Sequence, residues 1–290
     1  MTTASDRLRP SRRGLLGIGL GTGAVLLSGC GGGGDTGDRP RKQAGAVERV
    51  GYGKDDQQHV ELRRPTGTSK GTVVLIHGGY WQAGFGADLM VPMATAFTAL
   101  GYATWNVEYR RVGSGGGFPT TLEDVAAAID ALAGKHLGPA MVVGHSAGGH
   151  LAAWAASRTA RTPGGAPVTP LTSAVSLSGL LDLSAAAQAP ESASPTIALM
   201  GGTPARVPSS YAVADPTLLV PASCPVVACQ ADDDQVVPSD QARRYVTAAT
   251  AAGGKATFQS LPGDHFAIID PEAAAFATTR RLVAQALPGA

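Results

Sequence analysis

Ser146 stands in Gly144-His145-Ser146-Ala147-Gly148, a G-x-S-x-G arrangement. A serine hydroxyl is a poor nucleophile until a base takes its proton, so it needs a histidine and a group to orient that histidine. Glycines two residues to either side allow a sharp turn without Cβ clashes. The apolar run Met141–Val143 before the turn and the alanine-rich Leu151–Ser157 after it are a strand and a helix for the turn to join. The chemistry open to such a serine is attack on a carbonyl carbon.

Six histidines could serve as base: His59, His77, His136, His145, His150 and His265. His265 lies in Pro262-Gly263-Asp264-His265-Phe266, just past the last expected strand. That is the edge of an open α/β sheet where catalytic groups gather. His59 falls mid-strand in an early hairpin and His136 in a loop at the opposite edge. His150 is too local to approach Ser146 from across a cleft, and His145 is expected to point elsewhere on the turn. His265 is therefore assigned as the base.

The acid is expected between serine and histidine in chain order, after the strand ending at Cys229. Asp232, Asp233 and Asp234 occupy that loop. Asp234 is the assignment, because Val236 and Val237 can pack beneath the loop and fix its carboxylate. Asp232 and Asp233 read as solvated turn residues, with a displacement by one residue left open. Asp182 is a weaker substitute, and Asp264 is too close to His265 to orient it. Three adjacent aspartates cannot converge on one ion without further ligands. No Cys/His metal spacing occurs, and neither a metal nor another cofactor is expected.

His77-Gly78-Gly79-Tyr80-Trp81 follows the strand-like Thr72–Ile76. Glycines there let backbone N–H groups approach a developing oxyanion, with Gly78, Gly79, Tyr80 and Ala147 as its expected donors. Ala147 would donate from the start of the helix after Ser146. His77 is expected to hold the loop by hydrogen bonds. Tyr80 and Trp81 are candidate walls of a substrate pocket, or else aromatics that pack the loop.

The elements that must position these residues alternate. Val47–Tyr52 and His59–Arg64 read as an antiparallel pair, and Thr72–Ile76 as a strand covered on both faces. Helix is expected over Asp88–Leu100, followed by a strand at Ala103–Val107. Thr120 is expected to open a helix in a capping box with Glu123, with Leu122, Val125, Ile129 and Leu132 as its apolar face. Further strands are expected at Ala174–Leu177, Pro225–Cys229 and Lys255–Leu261, and helices at Gln241–Ala252 and Ala273–Leu287. The fold class is α/β, a mostly parallel sheet with helices on both faces. Residues 182–223, rich in Ala, Ser and Pro, break the rhythm and are expected to form a cap of short helices shaping the substrate pocket.

The chain is 290 residues, 44% hydrophobic and 16% charged, with a net charge of +1. Four arginines and one aspartate precede Cys30, so the remainder is slightly acidic. No basic stripe is left to hold nucleic acid. Arg12-Arg13 before a short apolar run resembles a twin-arginine export signal, and Leu27-Ser28-Gly29-Cys30 resembles a bacterial lipobox. The run, about 13 residues, is too short for a ~30 Å hydrocarbon core. Residues 1–29 are thus expected to be a lipoprotein-type signal peptide and Cys30 a lipid anchor to the outer face of the cytoplasmic membrane. Residues 30–45 would be a flexible tether and 46–290 the domain. Cys224 and Cys229, ~16 Å apart along an extended strand, cannot form a disulfide and read as two buried thiols.

Four motifs occur in sequence with suitable intervals: His77-Gly78-Gly79-Tyr80-Trp81, Gly144–Gly149, Asp234-x-x-Val237-Pro238 and Gly263-Asp264-His265-Phe266. In this order they resemble the esterase/lipase branch of the α/β-hydrolases, near its hormone-sensitive-lipase-like and kynurenine-formamidase-like members. Asn106-Val107-Glu108-Tyr109-Arg110 resembles a strand and turn of carboxylesterases in that branch, and the Trp81 form of the glycine loop resembles arylformamidases. The likeness spans about Gly71 to Leu287. It implies a serine carboxylesterase acting on small acyl or aryl esters through Ser146, His265 and Asp234. An arylformamidase or amidase is the alternative with the same chemistry, and an idle hydrolase fold serving as a surface-binding lipoprotein the alternative of another class.

Overall fold

Thr72–Ile76 (β3) is buried along its whole length, and its alternation divides the core. Val74 and Ile76 enter an apolar cluster on one face of the sheet, while Val73 and Leu75 enter the cluster on the other. Continuous β-branched sequence is the signature of a strand that has helices on both sides. The computed structural model describes residues 45–288, so the expected signal peptide, Cys30 and nearly all of the tether lie outside the described residues.

Among the described residues eight strands form one sheet: β1 Val47–Gly51, β2 His59–Arg63, β3, β4 Ala103–Val107, β5 Ala140–His145, β6 Leu171–Leu177, β7 Val226–Ala231 and β8 Ala256–Leu261. Their spatial order is β1-β2-β4-β3-β5-β6-β7-β8, antiparallel at β1/β2 and β2/β4 and parallel elsewhere. The helices are α1 Val91–Ala99, α2 Thr120–Asp130, α3 Ala147–Ala156, α4 Leu183–Ala186, α5 Ala193–Met200, α6 Pro208–Ala214, α7 Asp240–Ala251 and α8 Ala275–Ala286. Helices α2, α3 and α7 contribute to one apolar cluster, α1 and α8 to the other. The mostly parallel α/β sheet expected from the sequence is the one observed.

Register brings the site together. Ile76 pairs with Gly144, His145 with Leu177, Leu177 with Cys229, and Ala231 with Leu261. The segments that leave these strand ends carry His77–Trp81, Ser146, Ser178, Asp234 and His265, all at one edge of the sheet.

Several local expectations need correction. The capping box at Thr120 and Glu123 does not form: Pro119 takes the cap position, and no side chain caps the helix. Instead Thr121, one residue later, accepts from Gly117 N–H and donates to the Arg110 carbonyl. The helix expected from Asp88 begins as a 3₁₀ turn over Ala87–Met90 and becomes α-helical at Val91. Pro92 then falls in the first turn of α1, where its missing N–H leaves no bond unmade. Cys224 is half-buried rather than buried, and burial raises the two free thiols to about 11 (Cys224) and about 12 (Cys229).

Residues 182–223 fold as α4, α5, α6 and a 3₁₀ turn at Pro216–Leu218. They are fastened to α3, with His150 Nε2 donating to the Ala214 carbonyl and Trp154 Nε1 to the Val213 carbonyl. Asp215 ties the segment internally, accepting from Ser184 N–H and Oγ and from Thr217 N–H. No helix among the described residues is long and apolar enough to cross a membrane.

Candidate active site

β5 delivers Ser146 in a conformation that L-residues avoid, φ 54° and ψ −119°. Holding a non-glycine residue there costs on the order of 1–3 kcal/mol, so the surroundings must impose it. They do so through backbone. Ser146 N–H donates to the Leu177 carbonyl at 2.8 Å. A Cβ at Gly144 would sit 2.0 Å from the Gly148 carbonyl oxygen, and one at Gly148 would sit 2.1 Å from that of Ile76. Neither obstacle is a side chain that could swing away. Both flanking glycines are therefore required by packing as well as by the turn.

His265 and Asp234 meet at this edge. His265 Nδ1 donates to Asp234 Oδ2 at 2.8 Å, with side chains only 5% and 1% exposed. That bond places the ring proton on Nδ1 and leaves Nε2 for proton exchange. Asp234 Oδ1 accepts from Val236 and Val237 N–H at 2.8 and 2.9 Å, and Gln230 Nε2 donates to Oδ2 at 3.2 Å. Burial opposes ionisation of Asp234. Hydrogen bonds from His265, Val237, Ser178 and Val236 outweigh it and hold the carboxyl at about 2.

The competing acids are occupied elsewhere. Asp232 and Asp233 are exposed, the first bonded to Ser260 Oγ. Asp182 caps α4 by accepting from Ala185 N–H. Asp264 accepts from Phe266 and Ala267 N–H. Among the described residues no cluster of three or more His, Cys, Asp or Glu has the arrangement to hold a metal ion.

His145 departs from expectation. Rather than pointing away, its Nε2–H donates to the His265 carbonyl at 2.8 Å, and the two rings lie 4.6 Å apart. Burial, seconded by His265, pushes the His145 ring down to about 3, so it is a neutral donor. His150 is buried and held at about 4 by desolvation, packed edge-on to Trp81. It has no part in the cleft.

The loop after β3 lies against the serine turn. A Cβ at Gly78 would come within 2.9 Å of the His145 carbonyl and 3.0 Å of Ser146 Cβ. Gly79, Tyr80 and Trp81 have φ of 104°, 53° and 56°, a left-handed run that turns the chain sharply over Ser146. Ala147 N–H is the first donor of α3, which no preceding helical turn can engage. His77 stacks on Tyr109 at 4.3 Å, and Tyr109 Oη donates to the His77 carbonyl. Glu108, largely buried, pairs with Arg111 at 2.8 Å, lies 3.5 Å from His77 Nε2 and accepts from Ala87 N–H. Burial works against its ionisation, but His77, Ala87 N–H and Arg111 together hold its carboxyl below the ordinary value. The supporting role of Glu108 and Arg111 is not legible in local sequence.

Ser146, His265, Gly79, Tyr80, Phe85 and Leu89 border a cavity of about 70 Å³. Tyr80 is a wall of this cavity. Trp81 is not: it is fully buried in the core, where its left-handed backbone turns the indole inward. Nor does any residue of 182–223 border this cavity. Larger hollows, such as the 350 Å³ one beside Arg63 and Thr98, are remote from Ser146.

Sheet order, serine turn and strand-end loops define the α/β-hydrolase fold. The BD-FAE family profile matches residues 60–248, and the chain belongs to that family. It is 27% identical over 253 residues to a kynurenine formamidase of Salmo salar, spanning 80% of this chain and 79% of that protein. A kynurenine formamidase of Danio rerio is 26% identical over 248 residues, with the same shares covered. Among solved structures, a truncated carbohydrate esterase from gut microbiota superposes with a TM-score of 0.71 at 22% identity, covering 83% of this chain and 95% of that one. Esterase B of Lactobacillus rhamnosis gives 0.70 at 18%, covering 83% and 84%. Esterase 2 of Thermogutta terrifontis gives 0.65 at 20%, covering 82% and 90%.

Proposed function

We propose that the protein is a serine carboxylesterase with Ser146 as nucleophile, His265 as general base and Asp234 as the group that orients it. The observation that carries the reading is the 2.8 Å Asp234–His265 bond at the same cavity as a serine in a strained turn. His265 Nε2 takes the hydroxyl proton as Ser146 Oγ attacks the ester carbonyl, and the ionised Asp234 stabilises the imidazolium that results. N–H groups of Gly79, Tyr80 and Ala147, with Gly78 shaping the loop, stabilise the oxyanion. The tetrahedral intermediate collapses as His265 returns the proton to the departing alcohol. Water, deprotonated by the same ring, then releases the acid from Ser146.

Formamide hydrolysis is the second reading, supported by the two kynurenine formamidase relatives. It uses the same acyl transfer, with nitrogen in place of oxygen as the leaving atom. Export and lipid anchoring at Cys30 belong to the same proposal and rest on the N-terminal sequence. A fluorophosphonate probe should label Ser146 in the wild type and not in Ser146→Ala. Absence of labelling in folded wild-type protein would instead favour a binding module. Rates on p-nitrophenyl acetate and N-formylkynurenine then divide ester from formamide preference.

A further inference from the structure

The cavity at Ser146 is small and its wall is fixed. A volume of about 70 Å³ corresponds to two or three water-sized groups at ~30 Å³ each. One wall comes from the segment between the glycine loop and α1, through Leu89 and, toward solvent, Phe85. The Phe85 ring lies directly on the oxyanion loop: a Cβ at Gly79 would fall 2.3 Å from it. This wall is pinned through its backbone. Ala87 N–H donates to Glu108 Oε2 at 2.9 Å, the Ala87 carbonyl accepts from Asn106 Nδ2 at 2.8 Å, and Arg111 donates to the Phe85 carbonyl. Upstream, Ala83 N–H donates to the Val112 carbonyl. A wall tied at four points to buried β4 and the turn after it does not retreat to admit a longer chain.

The mouth of the cavity differs from its interior. Phe85 and Phe266 are 43% and 60% exposed, two of the few large apolar side chains the described surface leaves in water. Both border the cavity, so apolar surface continues outward from the small inner space. Exposed aromatics beside a reactive serine mark a binding face more than a packing accident.

We infer that the inner cavity holds the acyl group and limits it to one to three carbons, with Leu89 as the specificity-determining residue, while an aromatic or apolar leaving group lies outward against Phe85 and Phe266. This rests on the serine hydrolase reading and fits its ester and formamide forms alike, since a formyl group is smaller still. The assignment of sides follows from the reaction. The acyl group stays on Ser146 after the first step, whereas the leaving group must depart to solvent and needs the open side. Substrate choice is thereby moved from residues 182–223 to the segment preceding α1.

Two independent substrate series test it: p-nitrophenyl acetate, propionate, butyrate and octanoate, then ethyl, phenyl and 2-naphthyl acetate. One methylene that a pocket cannot accommodate changes kcat/KM by roughly 10–200-fold. The wild type should therefore hydrolyse butyrate at least about 10-fold less efficiently than acetate. Leu89→Ala should raise the butyrate-to-acetate ratio by a similar factor, and Leu89→Trp should lower the propionate-to-acetate ratio. Phe266→Ala should reduce the preference for naphthyl over ethyl acetate. A wild type as efficient on octanoate as on acetate, or ratios unmoved in both Leu89 variants, overturns the inference. If Ser146 is labelled by a fluorophosphonate under those results, the hydrolase reading survives and the acyl assignment alone fails. Neither labelling nor turnover of any ester or formamide overturns both.

Discussion

The side chain of His145 and the backbone of His265 are joined by a 2.8 Å hydrogen bond across 120 residues of sequence. One is the residue before the proposed nucleophile, the other the proposed base, so the serine turn and the loop of His265 share a direct strut. A displacement of about 1 Å in reacting groups can cost on the order of 10²-fold in rate. His145→Leu should lower kcat by up to about that factor with little change in KM. His145→Gln, whose amide N–H can reach the same carbonyl, should recover much of it. The downfield Nδ1–H proton resonance of His265 should shift in the leucine variant and not in the glutamine one.

Asp234 alone of the three consecutive aspartates reaches His265. Asp234→Asn should lower kcat by about 10⁴, because the amide no longer favours the Nδ1–H tautomer. Asp232→Asn, at an exposed position bonded to Ser260, should stay within a few-fold of wild type. The reverse ordering of these two variants would move the acid by two residues.

Asp234 titrates at about 2 in the folded chain, below its ordinary 3.8. Between those values the unfolded chain binds the proton first, so falling pH favours unfolding. The stabilisation from this carboxylate is complete above about pH 4 and is lost as pH falls toward 2. Urea midpoints of wild type and Asp234→Asn should therefore differ most at pH 5 and draw together as pH falls toward 2. A gap that stays constant over this range would mean the carboxylate is not selectively stabilised.

The Ser146 backbone is held at φ 54°. Ser146→Gly removes the steric penalty and should raise stability by about 1 kcal/mol while lowering kcat by about 10⁶. Thermal unfolding read beside turnover checks both halves. Ser146→Ala, which keeps the Cβ, should lose the activity without the full gain in stability.

What could be read in the sequence follows the range of the interactions. Thr72–Ile76 announces a strand covered on both faces because burial and β-branching are written in the same five residues. The serine turn is legible because Gly144 closes on the backbone of Gly148 only four residues later, although Gly148 itself is required by Ile76 on the neighbouring strand. The bond of His145 is not legible in the sequence because its partner lies in another loop, and no local pattern records that meeting. Trp81 reads equally well as a pocket wall or a core residue until the left-handed turn directs it inward. The capping box is absent for a nearer reason: Pro119 takes the cap position, so Thr120 is already the first helical residue and cannot cap. Glu108 and Arg111 stay hidden because a buried ion pair looks, residue by residue, like solvated charge.

The residues that secure the segment before α1 are different from those it presents to Ser146. Glu108, Asn106 and Arg111 grip backbone atoms of Phe85 and Ala87, a hold indifferent to which side chains stand at 85 and 89. Leu89 is free of that scaffold and only half-buried, so its size can change without loosening the wall. Support and selectivity can thus diverge independently in descent: single substitutions at one or two positions would carry a lineage from one acyl size to another while the fold beneath stays the same.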